Sequence, residues 1–137
     1  MAFVLRQPVR FPDVDRAGIV YFPRYMDFFH RTFEDFFPAE VGIPYHGLYD
    51  DPGVAFPLVR VESNFDAPLK HGEQVGIELT TVRVGEHSLT LRFRTLRPGR
   101  AEPVSTTVMT FACVDPRSWK AVGVPDRIRK AFEKHAK

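Results

Sequence analysis

The sequence predicts an α+β protein in which an antiparallel sheet of about five strands wraps around one long central helix. Two observations carry this expectation. Large apolar residues recur at helical spacing from Pro23 to Phe37, and from Val59 onward apolar and polar residues alternate in successive runs separated by turn residues. One greasy helix and one half-apolar sheet bury both surfaces most simply against each other.

The composition narrows the class. A chain of 137 residues suits one domain, 1–137, and folding at this size removes roughly two-thirds of the extended chain's surface from water. With 44% hydrophobic and 26% charged residues, neither a disordered nor a fibrous class is favoured. The net charge is +2 and the nineteen Lys and Arg are scattered apart from a basic C-terminal end, so nucleic acid is not expected as a partner. Cys113 is the only cysteine, which excludes an internal disulfide and fits a reducing cytoplasm. The opening MAFVLRQPVRF lacks the apolar core of a secretion signal, and no run approaches the roughly twenty apolar residues of a membrane span, so a protein that is neither processed nor membrane-bound is expected.

Taken in order, Phe3, Leu5 and Val9 alternate with polar residues and predict a first strand over 2–10. Pro23 reads as the first helical residue, where its missing N–H costs little. Tyr25, Phe29, Phe33 and Phe36 then form a stripe that Met26 and Phe37 widen, while Asp27, His30, Arg31 and Glu34 take the opposite side. Pro38 to Gly53 has no sustained period and predicts an irregular connection. Val59, Val61, Ser63 and Phe65 predict a half-buried strand ending near Pro68.

Val75, Ile77 and Leu79 predict a further strand up to Gly85. Leu89, Leu91 and Phe93 predict another, up to the turn Arg97-Pro98-Gly99-Arg100. Val104 to Val114 has apolar residues on both faces, which suits a central or interface strand. A turn over Arg117 to Lys120 and a short helix from Pro125-Asp126, carrying Ile128, Ala131 and Phe132, complete the chain. The expected order is strand, helix, then four strands in series with short turns. A sheet covered on one face leaves its other face and edges to be managed, and the two-faced last strand predicts that a second copy does this, giving a homodimer or homotetramer.

The chemistry concentrates just before the long helix. Asp13 and Asp15 stand in a loop punctuated by Pro12 and Gly18, and the residues leading into the helix, Tyr21 and Phe22, offer no side-chain oxygen to cap its first N–H groups. A carboxylate with an ordinary pKa of about 4 is ionised at neutral pH and can serve as base or nucleophile, and an uncapped helix start presents directed donors. Asp13, one residue from a strand end, reads as a turn-stabilising acid. His30, His46, His71, His87 and His135 are scattered without i, i+4 pairing and no thiolate cluster exists, so no metal is expected.

The spacing Asp15, Gly18, Ile19, Val20, Tyr21, Phe22, Pro23 and Tyr25 resembles the signature of hotdog-fold acyl-CoA thioesterases of the 4-hydroxybenzoyl-CoA thioesterase type. Ser88-Leu89 and Val114-Asp115-Pro116 ahead of Lys120 are further, weaker matches. The resemblance implies hydrolysis of an acyl-CoA thioester at a site between subunits, with CoA belonging to the substrate and no separate cofactor. It implies Asp15 as the catalytic carboxylate, either attacking the carbonyl or activating water, and the backbone N–H of Phe22 as the donor that polarises that carbonyl. It further implies Gly18, Tyr21, Tyr25, His87 and Ser88 as residues near the substrate.

One departure is informative. The related Tol-Pal-associated group carries His where this chain has Phe22, which places the resemblance with the aromatic-acyl branch. A different reading of the same residues is a module that binds acyl-CoA or an acyl carrier without cleaving it. Lys120, Arg117, Arg127, Arg129 and Lys130 are charge-assisted donors that CoA phosphates could meet.

Overall fold

The structure, a computed structural model, describes residues 2–136. Five strands form one antiparallel sheet: β1 (Phe3–Pro8), β2 (Leu58–Phe65), β3 (Gln74–Val84), β4 (Ser88–Leu96) and β5 (Pro103–Ala112). Helix α1 (Phe22–Phe36) lies across the sheet's concave face, and α2 (Asp126–Glu133) packs beside its C-terminal end. The first strand is shorter than the expected 2–10, because the 3-10 turn Phe11–Asp13 and the loop ahead of it turn the chain toward the helix. Helix α1 starts one residue earlier than expected, with Tyr21 as its extended N-cap and Pro23 in the second position.

Helix α1 holds to the sheet through its aromatic stripe. Phe28, Phe29, Phe33 and Phe36 are fully buried, and Phe33 stacks on Phe111 at a centroid distance of 4.2 Å. Phe28 lay outside the expected stripe; it faces β1, where Gln7 Nε2 donates to its carbonyl at 2.9 Å. The expected irregular stretch after the helix begins instead as a π turn, Phe37–Val41, closed by Gly42 N–H donating to Phe37 O at 2.8 Å. Pro38, the second residue of that turn, has no N–H to donate, and the change from α to π spacing falls at this point.

The chain order is the expected strand, helix and four strands, while within the sheet the strands lie in the order β1-β3-β4-β5-β2. Only β3, β4 and β5 form a meander. The segment after β2 crosses the end of the sheet near the start of α1 before β3 begins, so β2 pairs with β5 at one edge. A single row of paired residues crosses all five strands: Phe3, Leu79, Phe93, Thr107 and Ser63. It is apolar under α1 and becomes hydroxyl-lined where the helix runs out.

That geometry also corrects the burial of β2. It was expected to be half-buried, yet Leu58, Val59, Val61 and Phe65 are all exposed, Val59 at 62%. Val61 and Phe65 do share the concave face with Met109 and Ser105, their partners on β5, but α1 meets this strand only where Tyr25 touches Phe65, and both side chains stay exposed. Strand β5 is interior to the sheet as expected. Its outward residues Thr106, Val108 and Thr110 are half-buried, and the large apolar exposure lies on β2 instead.

Cys113 follows β5 and is fully buried, and burial pushes its thiol up to about 11. A thiol that is both buried and protonated at neutral pH is a poor nucleophile. An aromatic disulfide reagent at pH 8 is therefore expected to titrate no thiol in the native protein and one in denaturant. Rapid native labelling would show that this region opens locally.

Candidate functional site

Residues 13–21 fold into a small hairpin ahead of α1. Val14 bridges Val20, Asp15 N–H donates to Ile19 O at 3.0 Å, and Gly18 N–H donates to Asp15 O at 3.0 Å. Gly18 closes the turn at φ +80, a conformation that strains any residue with a Cβ. Asp13 is buried and its Oδ2 accepts from Arg10 N–H at 2.9 Å, so it is the turn-stabilising acid that its position predicts.

Asp15 is exposed. Its Oδ1 accepts from Ala17 N–H at 2.8 Å, the ordinary use of Asp in a turn, and that contact fixes the carboxylate's direction. Its Oδ2 has no hydrogen-bond partner among the described residues. The acid lines a groove of about 660 Å³ with Phe11, Pro12, Val14, Arg16, Tyr21 and Arg24.

On the other side of the helix start lies a second, more apolar pocket of about 370 Å³, whose walls include Ile19, Val20, Phe22, Tyr25 and Phe65. Tyr25 is buried, meets Phe65 at 4.9 Å between ring centroids, and its phenol is raised above its usual range, chiefly by burial. Tyr21 and Phe22 stand in different walls, so the peptide that joins them separates the two spaces. The N–H of that peptide, on Phe22, donates to no acceptor among the described residues, and no side chain caps the helix. A carboxylate on one side of a peptide with a free donor is an arrangement that can act on a carbonyl lodged between them.

His87 and Ser88 are not brought to this place. They form the β3–β4 turn, where Gly85 N–H donates to Ser88 O at 2.8 Å and Cys113 N–H to His87 O at 2.8 Å. Strand β3 begins beside the site and runs to that turn, a span of roughly 33 Å at strand rise. Within one chain they lie at the opposite end of the sheet from Asp15.

The crossover from β2 to β3 supports the site, a role that no local signal in the sequence marks. Val20 N–H donates to Leu69 O at 2.8 Å, Ile19 bridges Lys70, and Leu69 is fully buried. The crossover is itself clamped: Arg97 Nε donates to Glu73 Oε1 at 2.7 Å and Arg97 Nη2 to Pro68 O at 2.5 Å, while Glu73 Oε2 accepts from Lys70 N–H at 2.7 Å.

An antiparallel sheet curled around one helix, with an acid-bearing hairpin at that helix's uncapped start, is the hotdog class of fold. The chain belongs to the thioesterase-like superfamily, whose family model matches residues 9–132. A 1,4-dihydroxy-2-naphthoyl-CoA hydrolase from Nostoc punctiforme is 29% identical over 134 residues, covering 97% of this chain and 88% of that protein. Among solved structures, a 1,4-dihydroxy-2-naphthoyl-CoA thioesterase from Synechocystis superposes with a TM-score of 0.86 at 21% identity, over 96% of both chains. A gentisyl-coenzyme A thioesterase superposes with a TM-score of 0.81 at 26% identity, over 94% of this chain and 98% of that one.

The Arg97 side chain holds the Glu73 carboxyl below its usual range by hydrogen bonding, against an opposing effect of burial. A carboxyl lowered in the fold stabilises it above the unfolded value of about 4.3 and loses that contribution as pH falls through its own lower value. Arg97→Ala is expected to cost about 1 kcal/mol near pH 7, discounted for partial exposure, in chemical denaturation. The difference from wild type should shrink below about pH 4. A constant difference across pH would assign the loss to the Pro68 contact alone.

Proposed function

We propose that this protein hydrolyses an acyl-CoA thioester to the free acid and CoA, with Asp15 and the Phe22 N–H acting on the same carbonyl. The observation that carries the reading is the free Phe22 N–H at an uncapped helix start, set between the groove of Asp15 and the pocket of Tyr25. The scissile carbonyl sits against that N–H, which stabilises the oxyanion of the tetrahedral intermediate. Asp15 either attacks the carbonyl carbon or takes a proton from the water that does. CoA leaves as the thiol, and no further cofactor enters.

The acyl group is aromatic in this reading. The pocket beyond Phe22 is walled by Tyr25 and Phe65, and the relatives just named act on dihydroxynaphthoyl and gentisyl thioesters. Gly18 lets the hairpin close without a side chain, and Tyr21 borders the thioester. Losing one oxyanion donor typically costs about 2.7–4 kcal/mol of barrier, against about 0.3–1 for an exposed helix-dipole effect, so the directed N–H outweighs the dipole.

The site is completed by a second copy, making a homodimer or a pair of dimers. An exposed apolar edge strand is a ready pairing surface. Antiparallel pairing of β2 about a two-fold at Val61 sets Arg60 opposite the partner's Glu62 and buries the uncovered concave residues. It also swings the partner's His87–Ser88 end toward the pocket of Phe22, which restores those residues to the substrate. We place this single-domain protein in the cytoplasm, where its lone thiol stays reduced.

Asp15→Asn is expected to keep the thermal midpoint and to lower kcat on aromatic acyl-CoAs by about 10²–10⁴-fold, followed as thiol release. Near-normal turnover would sink the assignment, and binding without thiol release in the wild type would make the protein a carrier module. Val61→Arg puts like charges on the two-fold and is expected to convert dimers to monomers in light scattering at micromolar concentration. A wild-type protein that is already monomeric would remove the interface.

A further inference from the structure

A third concavity, of about 320 Å³, opens beside the groove of Asp15. Its walls are Gln7, Pro8, Arg10, Pro12, Asp13, Arg24 and Arg31. Three arginines from two separate parts of the chain, the segment just after β1 and helix α1, thus line one hollow. Pro12 and Arg24 belong to both this hollow and the groove of Asp15, so the two spaces are continuous.

The carboxylates nearby neutralise them only in part. Asp27 pairs with Arg24 at 3.2 Å, and the buried Asp13, itself a wall of the hollow, accepts from the Arg10 backbone N–H. Among the described residues, Arg10 and Arg31 have no carboxylate within 4.0 Å, and Arg16 on the adjoining groove has none either. Like charges gathered around a hollow repel one another unless an anion joins them, and planar guanidinium donors match phosphate oxygens in pairs.

We infer that this hollow is the phosphate-binding subsite, holding the phosphates of CoA while the acyl end lies at Asp15. The inference rests on the acyl-CoA reading above and names the half of the substrate that reading leaves unplaced. Arg24 stands at the Asp15 groove, and Arg31 lies nine residues beyond Phe22, roughly 13 Å along the helix, so the hollow carries positive charge away from the reacting carbonyl toward the far end of a pantetheine arm. Phe11, Pro12 and Val14 give the passage between them an apolar wall suited to that arm. Two of the basic C-terminal residues serve elsewhere in this chain: Arg129 donates to Gly85 O at 2.9 Å, and the Arg127 guanidinium lies over Gly42.

The test compares two substrates with the same aromatic acyl group, the full CoA thioester and its N-acetylcysteamine thioester, which carries no phosphate. In Arg31→Ala and Arg10→Ala, KM for the CoA thioester is expected to rise about tenfold each, and wild-type preference for CoA over the truncated thioester to fall by the same factor. Added salt should weaken wild-type binding of the CoA thioester more than that of the variants.

Calorimetry with free CoA reads the same contacts without turnover, and the double variant should bind at least about tenfold more weakly. Equal CoA affinity in wild type and double variant would overturn the inference, as would a KM increase confined to Arg117→Ala or Lys120→Ala. Retained CoA binding without hydrolysis in the wild type would count against the proposed reaction and leave the arginine subsite standing.

Discussion

Three stacked ring pairs determine where α1 lies, and the rest of the molecule follows from that position. Phe29 meets Phe93, Phe33 meets Phe111 and Phe36 meets Phe132, at centroid distances of 5.4, 4.2 and 4.2 Å. Such pairs add about 0.5–1.5 kcal/mol each beyond the area they bury, and they resist sliding because each ring fits one partner. With its stripe pinned, the helix has one place for its first turn, beside the crossover at the end of the sheet. A helix about 10 Å across cannot cover five strands spanning roughly 19 Å, so one edge is left bare. The placement of the candidate site and the exposed β2 edge are two results of one packing constraint.

Most of the fold was legible because its patterns are local. The period of α1, the alternation of β3 and β4, and the Pro-Asp start of α2 each depend on neighbours within a few residues. What escaped the sequence was the place of β2. Alternation reports that a strand has two unlike faces; it does not report what covers the apolar one. Val61 and Phe65 alternate like core residues, yet in a single chain both stay exposed because the helix meets their strand only through Tyr25 against Phe65. Phe28 was missed for a related reason: a helix wedged between a sheet and its edge strand buries a wider arc than a one-sided stripe suggests.

The site divides the same way. Asp15, Gly18, Tyr21, Phe22 and Tyr25 lie within eleven consecutive residues, so the candidate site could be proposed from one short stretch, its acid and missing cap from the residues themselves and the rest from the resemblance. Asp15 and Tyr25 fall in separate spaces on either side of the Tyr21–Phe22 peptide, a division that only the folded backbone reveals. The clamp by Arg97 and the arginine-lined hollow join residues distant in sequence, and no short motif announces such a meeting. His87 and Ser88 show the converse, a resemblance that joins residues which one chain keeps at opposite ends of its sheet.

The bond from Val20 N–H to Leu69 O ties the hairpin of Asp15 to a segment about fifty residues later. Closing a loop of that length costs about 3.5 kcal/mol of chain entropy beyond a constant, which the hairpin cannot offset by itself. The hairpin therefore takes this geometry only together with the crossover that follows β2. A chain cut short before that crossover would contain every residue of the hairpin and still lack the backbone that holds it in place. The shape of this small, early segment is thus a record of whether the chain has folded well beyond it.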